Sequence, residues 1–156
     1  MKEIPIRFSL NGEAVEASVT ATMTLLSLLR DVFGNTEVKE GCGRGDCGAC
    51  AVLVDGVAAN ACLMLAVQID GLSVVTVKGL LDEGRPHPLQ KSFAEHGAVQ
   101  CGFCTPGMIM NAYGLLLKNP NPTRQEIIED MEGNLCRCGT YNRIIEAIET
   151  AAQEMR

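Results

Sequence analysis

Apolar and polar positions set the first elements. Residues 4 to 19, "IPIRFSLNGEAVEASV", hold two β-prone runs around Asn11-Gly12, a strong two-residue hairpin signal. The period then changes. In "TLLSLLRDVFG", residues 24 to 34, leucines fall at helical spacing and Gly34 marks a stop. "AVLVDGVAANAC", residues 51 to 62, predicts a second hairpin turning at Asp55-Gly56, and "LSVVTV", residues 72 to 77, one more strand. Four or five short strands with one helix across them predict a small β-grasp sheet.

Beyond Gly79 the pattern is helical. "LLDEGRPHPLQ", with two prolines, a glycine and mixed charge, reads as a linker. A short helix is predicted over Leu89 to Glu95. A longer one is predicted over Thr105 to Leu117, with Thr105 as N-cap and Pro106 at the first helical position. "NPNP" at 119 to 122 breaks the chain. Thr123 with Glu126 makes a capping-box pattern that opens "RQEIIEDM", and Thr140 is placed to cap a last helix. The expected fold class is α+β, with a β-grasp domain at 1–80 and a four-helix bundle domain at 81–156.

Composition narrows the partners. A net charge of -6 argues against nucleic acid or an anionic membrane surface, both of which call for a basic face. No apolar run reaches the roughly 18 residues that span a bilayer. The N-terminus has no secretory h-region, so the expected location is the cytoplasm; export alongside a signal-bearing partner is compatible with this.

Eight cysteines change the picture most. In a reducing compartment they are not expected to form four disulfides. Cys42, Cys47, Cys50 and Cys62 open as C-x4-C-x2-C, the spacing of plant-type [2Fe-2S] sites. Cys101, Cys104, Cys136 and Cys138 form a C-x2-C and a C-x-C separated by helices. The first three cysteines sit in "GCGRGDCGAC". Thiolates from one short loop must converge on a compact core, which calls for the φ/ψ freedom of Gly41, Gly43, Gly45 and Gly48 and for backbone N–H groups close to the sulfurs. Cys101 and Cys104 precede a helix start, whose free N–H groups and positive dipole end favour an anionic site. Zinc and scattered core thiols are the competing readings. The C-x4-C and C-x-C spacings suit zinc ribbons poorly.

The remaining candidates have plainer readings. His87 and His96 are expected at the surface, and Met108 and Met110 in the core or an interface. Arg44 and Asp46 are read as solvated or partner-facing. Arg137 is read either as tuning a site's charge or as forming a structural ion pair. Glu126, Glu129, Asp130 and Glu132 are read as a solvated helix face.

"KEGCGRGDCGACAVLVDG", "AVQCGFCTPGMIM" and "GNLCRCGTY" together resemble the small iron–sulfur subunit of the molybdenum hydroxylases, the family of xanthine dehydrogenase and aldehyde oxidoreductase. The resemblance spans nearly the whole chain and places all eight cysteines. It implies a ferredoxin-like β-grasp domain with one [2Fe-2S] cluster on Cys42, Cys47, Cys50 and Cys62. It also implies a four-helix domain with a second cluster on Cys101, Cys104, Cys136 and Cys138. It implies a molybdopterin cofactor on a large partner subunit, contacted here by Gln100 and Cys138, and electron flow through both clusters to FAD on a medium subunit. "CRCGTY", where many members read "CRCTGY", is similar to the isoquinoline and nicotinate branches, some of which use cytochromes instead of FAD. The chain has no residue expected to be catalytic and no substrate site of its own. A free-standing two-cluster ferredoxin is the alternative, and a zinc-stabilised module a third.

Overall fold

The computed structural model describes residues 2–156. Five strands form one sheet: β1 (Glu3–Leu10), β2 (Glu13–Thr20), β3 (Ala51–Val54), β4 (Val57–Asn60) and β5 (Ser73–Val75), in the order β2-β1-β5-β3-β4. β1 and β5 run parallel and every other neighbouring pair is antiparallel. Both predicted hairpins form. Asn11 and Gly12 have φ of 53° and 87°, Asp55 and Gly56 47° and 78°, the paired positive values of a type I′ turn.

The first predicted helix is shorter and wider than expected. α1 (Leu25–Ser27), capped by Thr24 Oγ1, passes directly into a π-helical turn over Leu28–Val32. Leu25, Leu26, Leu28 and Leu29 are buried with Ile6, Phe8, Leu10 and Val74 in the first core. The last strand also stops early, at Val75 rather than 77. Buried Thr76 donates its N–H to Asn11 Oδ1 at 2.8 Å and its hydroxyl to Glu37 Oε1 at 2.8 Å, so side chains satisfy it in place of a neighbouring strand. Val77–Leu80 then forms a 3₁₀ turn.

The segment read as a linker is ordered as a tight turn. Asp82 and Arg85 bridge across Glu83 and Gly84, both at positive φ. His87 caps α2 (Pro88–Glu95), its Nδ1 accepting the Leu89 N–H at 3.2 Å while Gln90 Oε1 accepts the His87 N–H. α3 (Thr105–Lys118), α4 (Arg124–Asp130) and α5 (Tyr141–Glu154) complete the helical half. α4 has the expected Thr123/Glu126 capping box. α3 does not start as predicted. Its N-cap is Cys104, because the Cys104 carbonyl already accepts the Met108 N–H, and no side chain caps it. Thr140 is the N-cap of α5 by position, but its hydroxyl bonds elsewhere.

β3 links the two cores. Its four residues, Ala-Val-Leu-Val, are all buried. Val52 and Val54 face the first core; Ala51 and Leu53 face the second, with Met108, Met110, Phe93, Ile144 and Ile148. α3 lies close on the strand because Gly114 has no side chain: a Cβ there would sit 3.1 Å from Ala58 Cβ and 3.3 Å from Leu53 Cδ2.

Candidate metal centres

All eight cysteines are free thiols, and each set of four is brought together. In the first set, Cys42 lies against Cys47 and Cys50 against Cys62, with Cys47 close enough to Cys50 to act on its charge. The loop before β3 carries the first three, and the β3–β4 hairpin returns the chain so that Cys62 meets Cys50. In the second set, the turn before α3 supplies Cys101 and Cys104, and the turn before α5 supplies Cys136 and Cys138. Cys101 pairs with Cys138, Cys104 with Cys136.

This pairing tests which metal the donors fit. A two-iron core takes four thiolates, two to each iron, so pairs of thiols are what it requires. A Cβ on Gly41 would sit 2.7 Å from Cys47 Sγ, so the missing side chain at Gly41 leaves that sulfur its place.

The thiols differ sharply in acidity. The Arg44 N–H, 3.5 Å from Cys42 Sγ, leads the groups that draw the Cys42 pKa down to about 6; against burial, it is joined by Cys47 and by the Asp46 N–H at 3.2 Å. Burial pushes Cys50 up to about 12. In the second set burial, then contact with Cys136, pushes Cys104 up to about 12. Burial also opposes ionisation of Cys136. The Thr140 hydroxyl, 3.3 Å from its sulfur, outweighs burial together with the Thr140 and Cys138 N–H groups and Cys104, and lowers Cys136 to about 7. Cys101 is lowered, chiefly by the Phe103 N–H and then by Cys138. Each set thus holds a readily ionised thiol near a buried one whose proton a bound metal would displace.

The surroundings of the second set were not foreseen from spacing. Thr140 Oγ1 lies 3.2 Å from the Ala98 carbonyl and 3.3 Å from Cys136 Sγ, two acceptors between which its single proton is shared, and Tyr141 Oη accepts the Cys136 N–H at 2.7 Å. In the sequence "CGTYN" only the final helix start was legible. Gln100, Cys101 and Cys138 lie at the surface, as do the apolar Val99, Phe103, Leu135 and Tyr141. The two centres are also tied to each other. Leu135 N–H donates to the Cys47 carbonyl at 3.0 Å and Asn134 Nδ2 to the Gly48 carbonyl at 3.2 Å.

Other candidates resolve more simply. Met108 and Met110 are fully buried in the helical core. The histidines are half-buried rather than superficial. His87 caps α2 and stacks edge-on against Tyr113, and His96 lies within bonding distance of Ser92 and Thr150. Arg44 pairs with Asp46 at 2.6 Å at the surface, and exposed Arg137 makes no ion pair among the described residues. Of the acidic run, Glu126 caps α4, and Glu129, Asp130 and Glu132 are exposed.

Two non-overlapping lengths of the chain match iron–sulfur families. Residues 8–67 match a "2Fe-2S iron-sulfur cluster binding domain" and residues 76–149 a "[2Fe-2S] binding domain". The fold and the sites therefore define an iron–sulfur electron-transfer protein with two [2Fe-2S]-binding domains. The chain is 49% identical to the nicotinate dehydrogenase small FeS subunit of Eubacterium barkeri, over 98% of each chain. It is 48% identical to the nicotine 6-hydroxylase small subunit of Paenarthrobacter nicotinovorans, over 93% of this chain and 87% of that one. The crystal structure of quinoline 2-oxidoreductase from Pseudomonas putida 86 superposes with a TM-score of 0.94 at 44% identity, covering 98% of this chain and 96% of its matched chain. The chain belongs to the small iron–sulfur subunits of the molybdenum hydroxylases. It is an electron-transfer component of an oxidoreductase whose molybdopterin is carried by a large subunit.

Proposed function

We propose that Cys42, Cys47, Cys50 and Cys62 hold one [2Fe-2S] cluster and that Cys101, Cys104, Cys136 and Cys138 hold the other. Thiols meeting in pairs at both sites is the observation that carries this assignment. The clusters supply one-electron storage; the chain's residues set position and charge. N–H donors at Cys42 and Cys101, and hydroxyl and N–H donors at Cys136, stabilise anionic sulfur, which is how a protein adjusts such a potential.

Exposed Cys138 and Gln100 form the entry side, where the molybdopterin of the large subunit lies against this chain. Electrons then run from the second site to the first and leave to FAD on a medium subunit or to a cytochrome. The relatives reported above are named for nicotinate, nicotine and quinoline, so the complex is assigned to the hydroxylation of N-heteroaromatic rings. The domain boundary falls at 80/81, between a β-grasp domain at 1–80 and a four-helix bundle at 81–156, and the complex works in the cytoplasm. No helix of the described residues is long and apolar enough to cross a membrane.

Anaerobic metal analysis with EPR tests the assignment. About four irons and four labile sulfides per chain are expected. Cys47→Ser is expected to abolish one EPR signal and Cys104→Ser the other. Zinc in place of iron, or one variant losing both signals while still folded, would overturn it. Isolation of a tagged chain from its native cells separates a complex subunit from a free-standing ferredoxin, because only the former brings down a molybdenum-containing large chain.

A further inference from the structure

Thr140 stands at the start of α5, where a threonine side chain ordinarily accepts an N–H of the first helical turn. Here it makes no capping bond. Its hydroxyl is turned the other way, between the Ala98 carbonyl oxygen at 3.2 Å and Cys136 Sγ at 3.3 Å. Thr140, Ala98 and Cys136 are all buried, so bulk water does not compete for the hydroxyl proton. A hydroxyl has one proton to give, and it serves one of these acceptors fully only by leaving the other.

The two acceptors differ in what else they have. Cys136 Sγ also receives the Thr140 and Cys138 N–H groups, whose positions are fixed by the backbone. The Ala98 carbonyl receives no other hydrogen bond among the described residues. That carbonyl belongs to the loop that carries Gln100 and Cys101. The loop hangs from α5 by two bonds, the Thr140 hydroxyl at Ala98 and Arg143 Nη1 at the Gly97 carbonyl, 3.3 Å away. Val99 and Gln100, just beyond, are exposed. An added electron makes the sulfurs of the second set more negative, and a hydrogen bond to a charged acceptor is roughly twice as strong as one to a neutral acceptor. With both acceptors at nearly the same distance, that extra charge decides where the proton points. A buried carbonyl deprived of its donor then destabilises the loop that holds it.

We propose that Thr140 is a positioning residue that follows the redox state of the second centre: its hydroxyl holds the Ala98 carbonyl when that centre is oxidised and turns to Cys136 Sγ when it is reduced, loosening the loop that presents Gln100 to the molybdopterin. The O–H bond does not break and the proton stays on Oγ1. The electron that drives the turn arrives from the large subunit and leaves towards the first centre. Thr140 thereby ties the charge on the second centre to the hold of this chain on its partner's cofactor. This inference rests on the ligand assignment and the placement of Gln100 proposed above.

The test compares the assembled wild-type complex with Thr140→Ser, which keeps the hydroxyl, and Thr140→Val, which keeps the shape without it. In an EPR-monitored redox titration, Thr140→Val is expected to lower the second-site potential by about 59 mV, the one-electron equivalent of a tenfold change in the reduction equilibrium. Thr140→Ser and the first-site signal should keep their native potentials. An iron-replete Thr140→Val complex at the native potential would overturn the proposal. A second measurement needs only the wild type. With 13C-carbonyl alanine, the reduced-minus-oxidised infrared difference spectrum should contain a label-sensitive carbonyl band that rises in frequency on reduction, as a carbonyl does when it loses its donor. That band should persist in Thr140→Ser and vanish in Thr140→Val. A wild-type spectrum without it, or a band that survives in Thr140→Val, would overturn the turn of the hydroxyl. A wild-type complex with no iron on this chain would overturn the ligand assignment instead.

Discussion

Replacing Gly107 by alanine sets two physical effects against each other. Gly107 lies in the first turn of α3, at negative φ, so alanine meets no backbone strain there. Helix propensity alone favours the change by about 1 kcal/mol. The added Cβ, however, would sit 2.2 Å from the Gly48 carbonyl oxygen and 3.0 Å from Ala49 Cα. Those are backbone atoms of the first cysteine loop, which cannot rotate aside. Overpacking of this kind costs about 1–3 kcal/mol, so the net effect is a loss of up to about 2 kcal/mol. Gly133→Ala is the internal control, since a Cβ there meets nothing within 4 Å. The assay is anaerobic denaturant unfolding of the three chains under identical conditions, followed by visible absorbance and far-UV circular dichroism. Cluster loss makes such unfolding irreversible, so apparent midpoints and unfolding rates are compared. Gly107→Ala should unfold first and lose its visible absorbance earlier, and Gly133→Ala should match the parent. A Gly107→Ala chain as stable as the parent, or more so, would show that the two halves do not press together at this point.

Two further substitutions probe the helical half. Burial lowers the pKa of His87 from its ordinary value near 6.5, so the folded chain prefers the neutral ring that caps Leu89. The resulting stability is present above that ordinary value and is lost as acidification passes the folded-state pKa. His87→Asn, which still caps but does not titrate, should flatten the loss of stability between about pH 7 and pH 5, measured as thermal midpoint against pH; an unchanged slope would refute this. Tyr141→Phe leaves the Cys136 N–H without its 2.7 Å partner. It should cost about 0.5–1.5 kcal/mol and shift the midpoint potential of one EPR signal while leaving the other in place.

Local chemistry was legible in the sequence where neighbouring residues decide the outcome. Asn11-Gly12 and Asp55-Gly56 specified their turns because few other residues adopt two successive positive φ values, and Thr123 with Glu126 specified the start of α4 because both partners lie within one turn. The C-x4-C-x2-C, C-x2-C and C-x-C spacings were legible for the same reason: each reflects the reach of one short loop. The helix start at Cys104, the early end of β5 at Thr76 and the half-burial of the histidines were not legible. Each depends on a partner distant in sequence or on a bond that no motif records.

The sequence by itself determined the turns, the capping box and the short C-x4-C-x2-C, C-x2-C and C-x-C spacings, because these follow from neighbours along the chain. Tertiary structure alone decided that β3 serves two cores at once and that the thiols meet in pairs. It also brought Leu135 and Asn134 onto the Cys47–Gly48 peptide. Those outcomes depend on close packing between segments far apart in the chain, where a missing Cβ at Gly48 or Gly107 sets the distance of approach, and no local pattern encodes that distance.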